Sequence, residues 1–74
     1  MLIFGEIVGF PRNDVELVTL QLDAKMRGEA MQDMMHAEGV IVEDPQVITT
    51  TDRHGNTYVA WRSRIVETEQ PEDD

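Results

Sequence analysis

The sequence contains no cysteine, only one lysine (Lys25), and no cluster of basic residues. Without cysteine, neither a disulfide nor a thiolate metal cluster can form. Six basic residues against fifteen acidic ones give a net charge of −9. Because affinity for nucleic acid depends on Lys and Arg that neutralise phosphates, this balance argues against direct nucleic-acid binding.

Long apolar runs are also missing, since none approaches the ~20 residues that cross a bilayer. The first residues, Met1–Phe4, lack the positively charged region of a signal peptide. From these absences we expect a cytoplasmic protein with no membrane contact.

The acidic charge is concentrated at one end of the chain. Residues 67–74 carry five acids and no base, whereas residues 1–66 carry ten acids and six bases. We therefore predict one α+β domain over 1–66 and an acidic, flexible tail over 67–74. The tail either keeps a small protein soluble or reaches a basic groove on a partner. Its candidate partner-binding carboxylates are Glu67, Glu69, Glu72, Asp73 and Asp74.

Hydrophobic periodicity and turn residues predict a ββαββ order. The predicted elements are, in chain order, strands at 2–10 and 15–22, a helix at 24–38, and strands at 46–51 and 57–66. Asp23 is the predicted N-cap of the helix, and Gly39 ends it in a left-handed conformation. Gly55 is placed in the tight turn of the last hairpin. We predict an α+β fold, a small antiparallel four-stranded sheet with the helix packed on one face.

The predicted core lies between the helix and one face of the sheet. Met26, Ala30 and Met34 fall on one side of the helix and are expected to face the sheet. Met31 and Met35 extend beyond that side, either at the margin of the core or exposed toward another chain. In the sheet, Trp61 is expected to pack with Phe4 and Phe10. Gly5 and Gly9 suggest a bulge or a close backbone approach in the first strand.

The sequence has few groups for catalysis. It contains no glycine-rich phosphate loop, nucleophile elbow or HExxH motif. The single serine, Ser63, lies mid-strand, with neither histidine near it in sequence. Asp33 and His36 are one helical turn apart, but a zinc site needs three or four ligands. We expect no enzyme activity, no metal and no cofactor.

The remaining candidate sites are surfaces. The sheet face that carries Tyr58, Arg62 and Arg64 has no second helix to cover it, and aromatic residues with arginine are typical of protein interfaces. With the tail acids, Met31 and Met35 complete the candidate partner-binding set.

In size, charge and fold class alone, the chain is similar to small phage-encoded proteins that disable a host machine. The resemblance implies a non-catalytic module that binds a host nucleic-acid-processing complex, such as an RNA polymerase or a CRISPR effector. It would act by steric block or by partial phosphate mimicry, on a partner with a basic surface and in the host cytoplasm. The alternative is a structural or assembly protein that forms a homodimer through its open sheet face.

Overall fold

In the computed structural model, which describes residues 2–68, one helix packs against an antiparallel sheet of four strands. The elements in chain order are β1 (Ile3–Gly9), α1 (Asp14–Ala37), β2 (Val40–Val42), β3 (Gln46–Thr51) and β4 (Thr57–Thr68). The predicted α+β fold, with one helix on a four-stranded antiparallel sheet, is confirmed. The order is βαβββ, however, and not the predicted ββαββ.

The predicted strand at 15–22 is wrong, because these residues form the first two turns of α1. The N-cap is Asn13 and not Asp23: the side chain of Asn13 accepts a hydrogen bond from the backbone N–H of Glu16 at 2.9 Å. Asp14 and Glu16 in the first turn complement the positive end of the helix dipole. The fourth strand of the sheet is instead the short apolar run Val40–Val42.

Both predicted glycine turns are confirmed. Gly39 follows the last turn of α1 with φ of +83°, and Gly55 has φ of +84° in the turn between β3 and β4. The Asp52 side chain fixes that second turn by accepting hydrogen bonds from the backbone N–H groups of His54 and Asn56. These backbone conformations suit glycine because it has no Cβ to clash.

Every other strand pairs with β4. Strand β1 pairs along one edge of β4, from Ile3 opposite Arg64 to Gly9 opposite Val59. Strand β3 pairs with the same part of β4 from the other edge, with Ile48 opposite Ala60. Strand β2 continues that second edge, where Val42 lies opposite Ile65. The register therefore places alternate β4 residues on the two faces of the sheet.

The core forms where α1 crosses the helix-facing side of β4. Ala24, Val59 and Trp61 make up its buried cluster. The Trp61 ring meets Phe4 edge-to-face at 5.7 Å, as the sequence predicted for this pair. Gly28 allows the close approach, since a Cβ there would lie 2.6 Å from Pro45 and 3.4 Å from the Trp61 ring.

The prediction of which side of α1 faces the sheet is wrong. Met26 and Met34 are exposed, and Ala30 is exposed between them. The sheet-facing residues repeat every three or four positions along α1 and are Leu17, Leu20, Ala24, Gly28, Met31 and Met35. Within 24–38 both sides of the helix are apolar, and the two additional turns contribute the leucines that complete the sheet-facing stripe.

Phe10 also departs from its predicted place in the core. The register of β1 shifts between Ile7 and Gly9, which confirms the bulge that the glycines suggested. After the bulge, Phe10 lies beside Tyr58, with ring centroids 5.9 Å apart, and is more than half exposed.

We expect Gly28→Ala to destabilise the fold by about 1–3 kcal/mol, because its methyl group overlaps Pro45. Helix propensity alone favours alanine over glycine by about 1 kcal/mol, so a loss reports the tertiary contact. Urea unfolding monitored by Trp61 fluorescence measures the change. The control Ala30→Gly, on the exposed side of α1, should cost about 1 kcal/mol through propensity alone. Stabilisation by Gly28→Ala would contradict the close approach.

Candidate protein-interaction surface

The face of the sheet away from α1, called the open face here, is covered by no other element of residues 2–68. Strand β4 contributes Tyr58, Ala60, Arg62, Arg64 and Val66 to it, and register adds Ile3 and Ile7 from β1 with Ile48 from β3. The alternation of residues along β4 thus brings together the three sheet residues that the sequence singled out: Tyr58, Arg62 and Arg64.

One end of the open face is apolar. Ile7 and Phe10 are each more than half exposed, and Ile48 and Tyr58 are partly buried. Ala60 lies among them on the central strand, only 9% exposed because its neighbours on β1 and β3 flank it closely. Aromatic and branched apolar side chains thus form a contiguous surface beside the central strand.

The other end of the open face is polar. Arg64 forms an ion pair with Glu43, and this hydrogen bond and charge raise the pKa of the Arg64 guanidinium. Arg62 is exposed and makes no ion pair with any side chain of residues 2–66. Both arginines line a shallow depression of about 290 Å³, with Ile3, Asp44 and Gln46. Glu43 lines it as well, so two arginines and two carboxylates border the depression, which can accept a polar, hydrogen-bonding group from a partner.

The other candidate residues do not join this face. Met31 and Met35 lie partly buried on the helix side of the sheet, and Met31 packs against the core. Glu67 belongs to β4, where it lies opposite Ile41. The four remaining acids of the predicted tail lie outside the described residues: Glu69, Glu72, Asp73 and Asp74.

A second exposed apolar surface, which the sequence reading missed, runs along the outward side of α1. We call it the outward stripe and define it as Val15, Val18, Leu22, Met26, Ala30 and Met34. Its large side chains are between 55% and 77% exposed. The signal in the sequence is their spacing of three or four residues, which is recognisable once α1 is known to begin at Asp14.

The polar side chains considered as candidates for catalysis or metal binding form hydrogen bonds within the fold. The Ser63 hydroxyl donates a hydrogen bond to the backbone oxygen of Glu43 at 2.6 Å and is buried. The His36 ring lies 3.3 Å from the backbone nitrogen and oxygen of Val42. Within the described part of the chain, no three His, Asp or Glu side chains converge in a way that holds a metal ion. The helix there lacks the apolar length of a membrane span.

Comparisons with protein-family models, with curated proteins and with solved structures find no match to this chain. Function is therefore inferred from the geometry of the described residues.

Adjacent residues of β4 lie on opposite faces of the sheet, one in the core and the other on the open face. Truncating their side chains should therefore change the free energy of unfolding by different amounts. We expect Arg62→Ala to change the free energy of unfolding by less than about 1 kcal/mol, since Arg62 is exposed and makes no ion pair with another side chain of residues 2–66. Trp61→Ala, which empties the core on the opposite face, should cost about 3–5 kcal/mol. Urea unfolding followed by far-UV circular dichroism compares the two variants. Equal losses would mean that Arg62 supports the fold and is not available to a partner.

Proposed function

We propose that this protein is a non-catalytic protein-binding module whose open face contacts the partner. The observation that carries the proposal is the composition of that face: exposed Ile3, Ile7 and Phe10, together with Tyr58 and with Arg62, which makes no ion pair with a side chain of residues 2–66. Tyrosine and arginine are enriched among the residues that dominate binding energy at protein interfaces. An apolar area bordered by such polar groups is the usual anatomy of an interface.

The rigidity of the open face supports a binding role. Its residues project from a sheet whose central strand is hydrogen-bonded on both edges and packed beneath α1. Little backbone freedom is therefore lost when a partner contacts it, which favours affinity. Arg62 is held at mid-strand, where it can pair with a carboxylate on the partner.

The alternative, a homodimer formed through the open face, is less favourable. Arg62 and Arg64 occupy adjacent same-side positions of the central strand, so face-to-face packing of two copies brings four guanidinium groups into one interface. Glu43 is already paired with Arg64 and neutralises only part of that charge. A buried charge without a partner is costly, so the open face is better suited to a different protein.

Two charge reversals test the role of the open face. Tagged wild-type protein, Arg62→Glu and Arg53→Glu are used to capture partners from source-cell lysate, and the captured protein is quantified by mass spectrometry. Arg53 is exposed in the turn before β4, so its variant carries the same charge change away from the face. We expect Arg62→Glu to reduce capture of a stoichiometric partner at least tenfold and Arg53→Glu to reduce it little. An equal loss in both variants, or no stoichiometric partner for the wild type, would contradict the proposal.

A finer form of the proposal concerns the identity of the partner. We propose that it is a host nucleic-acid-processing complex, of RNA polymerase or CRISPR effector type, inhibited by steric block or partial phosphate mimicry. The support is the net charge of −9, which steers the chain toward a basic surface. By sequence, the acids outnumber the bases by three within α1 and by five within residues 67–74.

Deletion of residues 69–74 tests the contribution of the tail and leaves β4 whole. It removes four acids, so association with the captured partner should slow while dissociation stays nearly unchanged. We expect affinity to fall by about tenfold or less, about 1.4 kcal/mol, and salt to weaken binding. Surface plasmon resonance measures both rates.

A full-length control with Gln or Asn in place of the four acids separates charge from chain length. If the deletion and the full-length control both lose most of their binding to the partner, the result would favour phosphate mimicry by the acids of the tail. Binding that responds to neither salt nor deletion would remove charge from the mechanism.

A further inference from the structure

The outward stripe makes α1 apolar on two opposite sides. At 100° per residue, the sheet-facing stripe and the outward stripe lie about half a turn apart. A helix at the surface of a monomer normally turns charged and polar residues outward, whereas one that is apolar all round is buried. Val15 and Met26 are nevertheless 77% and 68% exposed. A second helix is the element whose shape fits a straight apolar stripe of this length.

The described residues bury little surface among themselves. Only seven of residues 2–66 are buried, so a monomer has little core of its own.

We propose that two copies of this chain associate through their outward stripes, as antiparallel helices related by a two-fold axis at Met26. In this register, Leu22 lies level with Ala30 of the second copy, and Val18 lies level with Met34. Val15 comes level with Ala37 in the same way. Leucine and valine thus oppose alanine in two of the layers and the flexible methionine in the third, which allows close packing.

The charges beside the stripe fit the same arrangement. An antiparallel two-fold brings the same flank of each helix together, so Lys25 of one copy lies beside Glu29 of the other. Lys25 makes no ion pair with any side chain of residues 2–66. Asp33 and Thr19 lie on the same side of α1 as the outward stripe, and in this register Asp33 comes level with Thr19 of the second copy, whose hydroxyl can donate a hydrogen bond. A parallel pair would instead place Asp33 against its own copy, where like charges repel.

This association goes beyond the proposed function, because it uses the opposite side of the molecule. The sheet lies between α1 and the open face, so pairing of the helices leaves both open faces uncovered. Failure of one proposal therefore leaves the other standing.

The absence of cysteine from the sequence allows a direct test of register. Met26→Cys places two thiols at the two-fold axis, within the separation that a disulfide spans. Val15→Cys is the matched control on the same stripe, since its two thiols would be about 33 Å apart along the helices. Ile7→Cys reports on the open face. Each variant is oxidised mildly at micromolar concentration, and the fraction of cross-linked chain is measured on a non-reducing gel.

We expect most of the Met26→Cys chain to cross-link, with little cross-linking of the other two variants. Cross-linking of Val15→Cys as well would indicate parallel helices, and cross-linking of Ile7→Cys alone would indicate a dimer through the open face. Either result overturns the proposal. So does a wild-type mass of 8.4 kDa at tens of micromolar in sedimentation equilibrium, where we expect twice that value.

A charge swap gives an independent readout. Lys25→Glu should raise the dissociation constant of the dimer several-fold, because it replaces the base beside Glu29 of the second copy with an acid, and the two like charges repel. The double variant Lys25→Glu/Glu29→Lys should restore it, and Arg53→Glu, with the same change of charge elsewhere, should leave it unchanged. An equal effect of Arg53→Glu and Lys25→Glu would mean that net charge, not this pair, governs association.

Discussion

The contact between Gly28 of α1 and Trp61 of β4 is the constraint on which the rest of the structure depends. At Gly28 the helix backbone lies against Pro45 and the Trp61 indole, which is 3% exposed; a Cβ there would lie 2.6 Å from Pro45 and 3.4 Å from the indole, so the approach to Pro45 is what requires glycine. The indole N–H donates to the Glu6 carboxylate at 3.1 Å, and the same carboxylate lies 3.5 Å from the Arg27 guanidinium. One aromatic side chain thereby joins β1, β4 and α1. In a domain with so few buried residues, this junction supplies much of the apolar burial that opposes chain entropy.

The sequence predicted those parts of the fold that short-range patterns decide. The hairpin of β3 and β4 follows from alternating residues around a turn with Gly55, and the end of α1 follows from Gly39. The placement of Tyr58, Arg62 and Arg64 on one face follows from the period of a strand alone. The bulge in β1 could be suspected from its glycines, but its consequence for Phe10 could not, because that depends on register against β4.

Two further features were not predicted: the start of α1, although the Asn13 cap three residues from Glu16 is a local signal, and the side of α1 that faces the sheet, which depends on contacts distant in sequence. Val18, Leu20 and Leu22 alternate with polar residues and therefore fit a strand, but Val18 and Leu22 also fit a helical stripe. The choice is made by Asn13, which caps the helix, and by the packing of Leu17 and Leu20 against the core. Likewise, nothing within 24–38 distinguishes the methionines that face the sheet from those that face outward. The approach of Trp61 to Gly28 selects one side.

The pairing of all strands with β4 has a consequence for the order in which the chain can fold. Strands β1, β2 and β3 pair only with β4 among the described residues, and β4 is the last of these elements in the chain. During synthesis, α1 can form from local contacts as soon as it is free of the ribosome, but no strand has its partner until residues 57–68 emerge. The loop that closes between Ile3 and Arg64 spans most of the domain, which slows folding relative to sheets built from successive hairpins. Until then both apolar sides of α1 face water, so the newly made helix is the segment in greatest need of protection from aggregation.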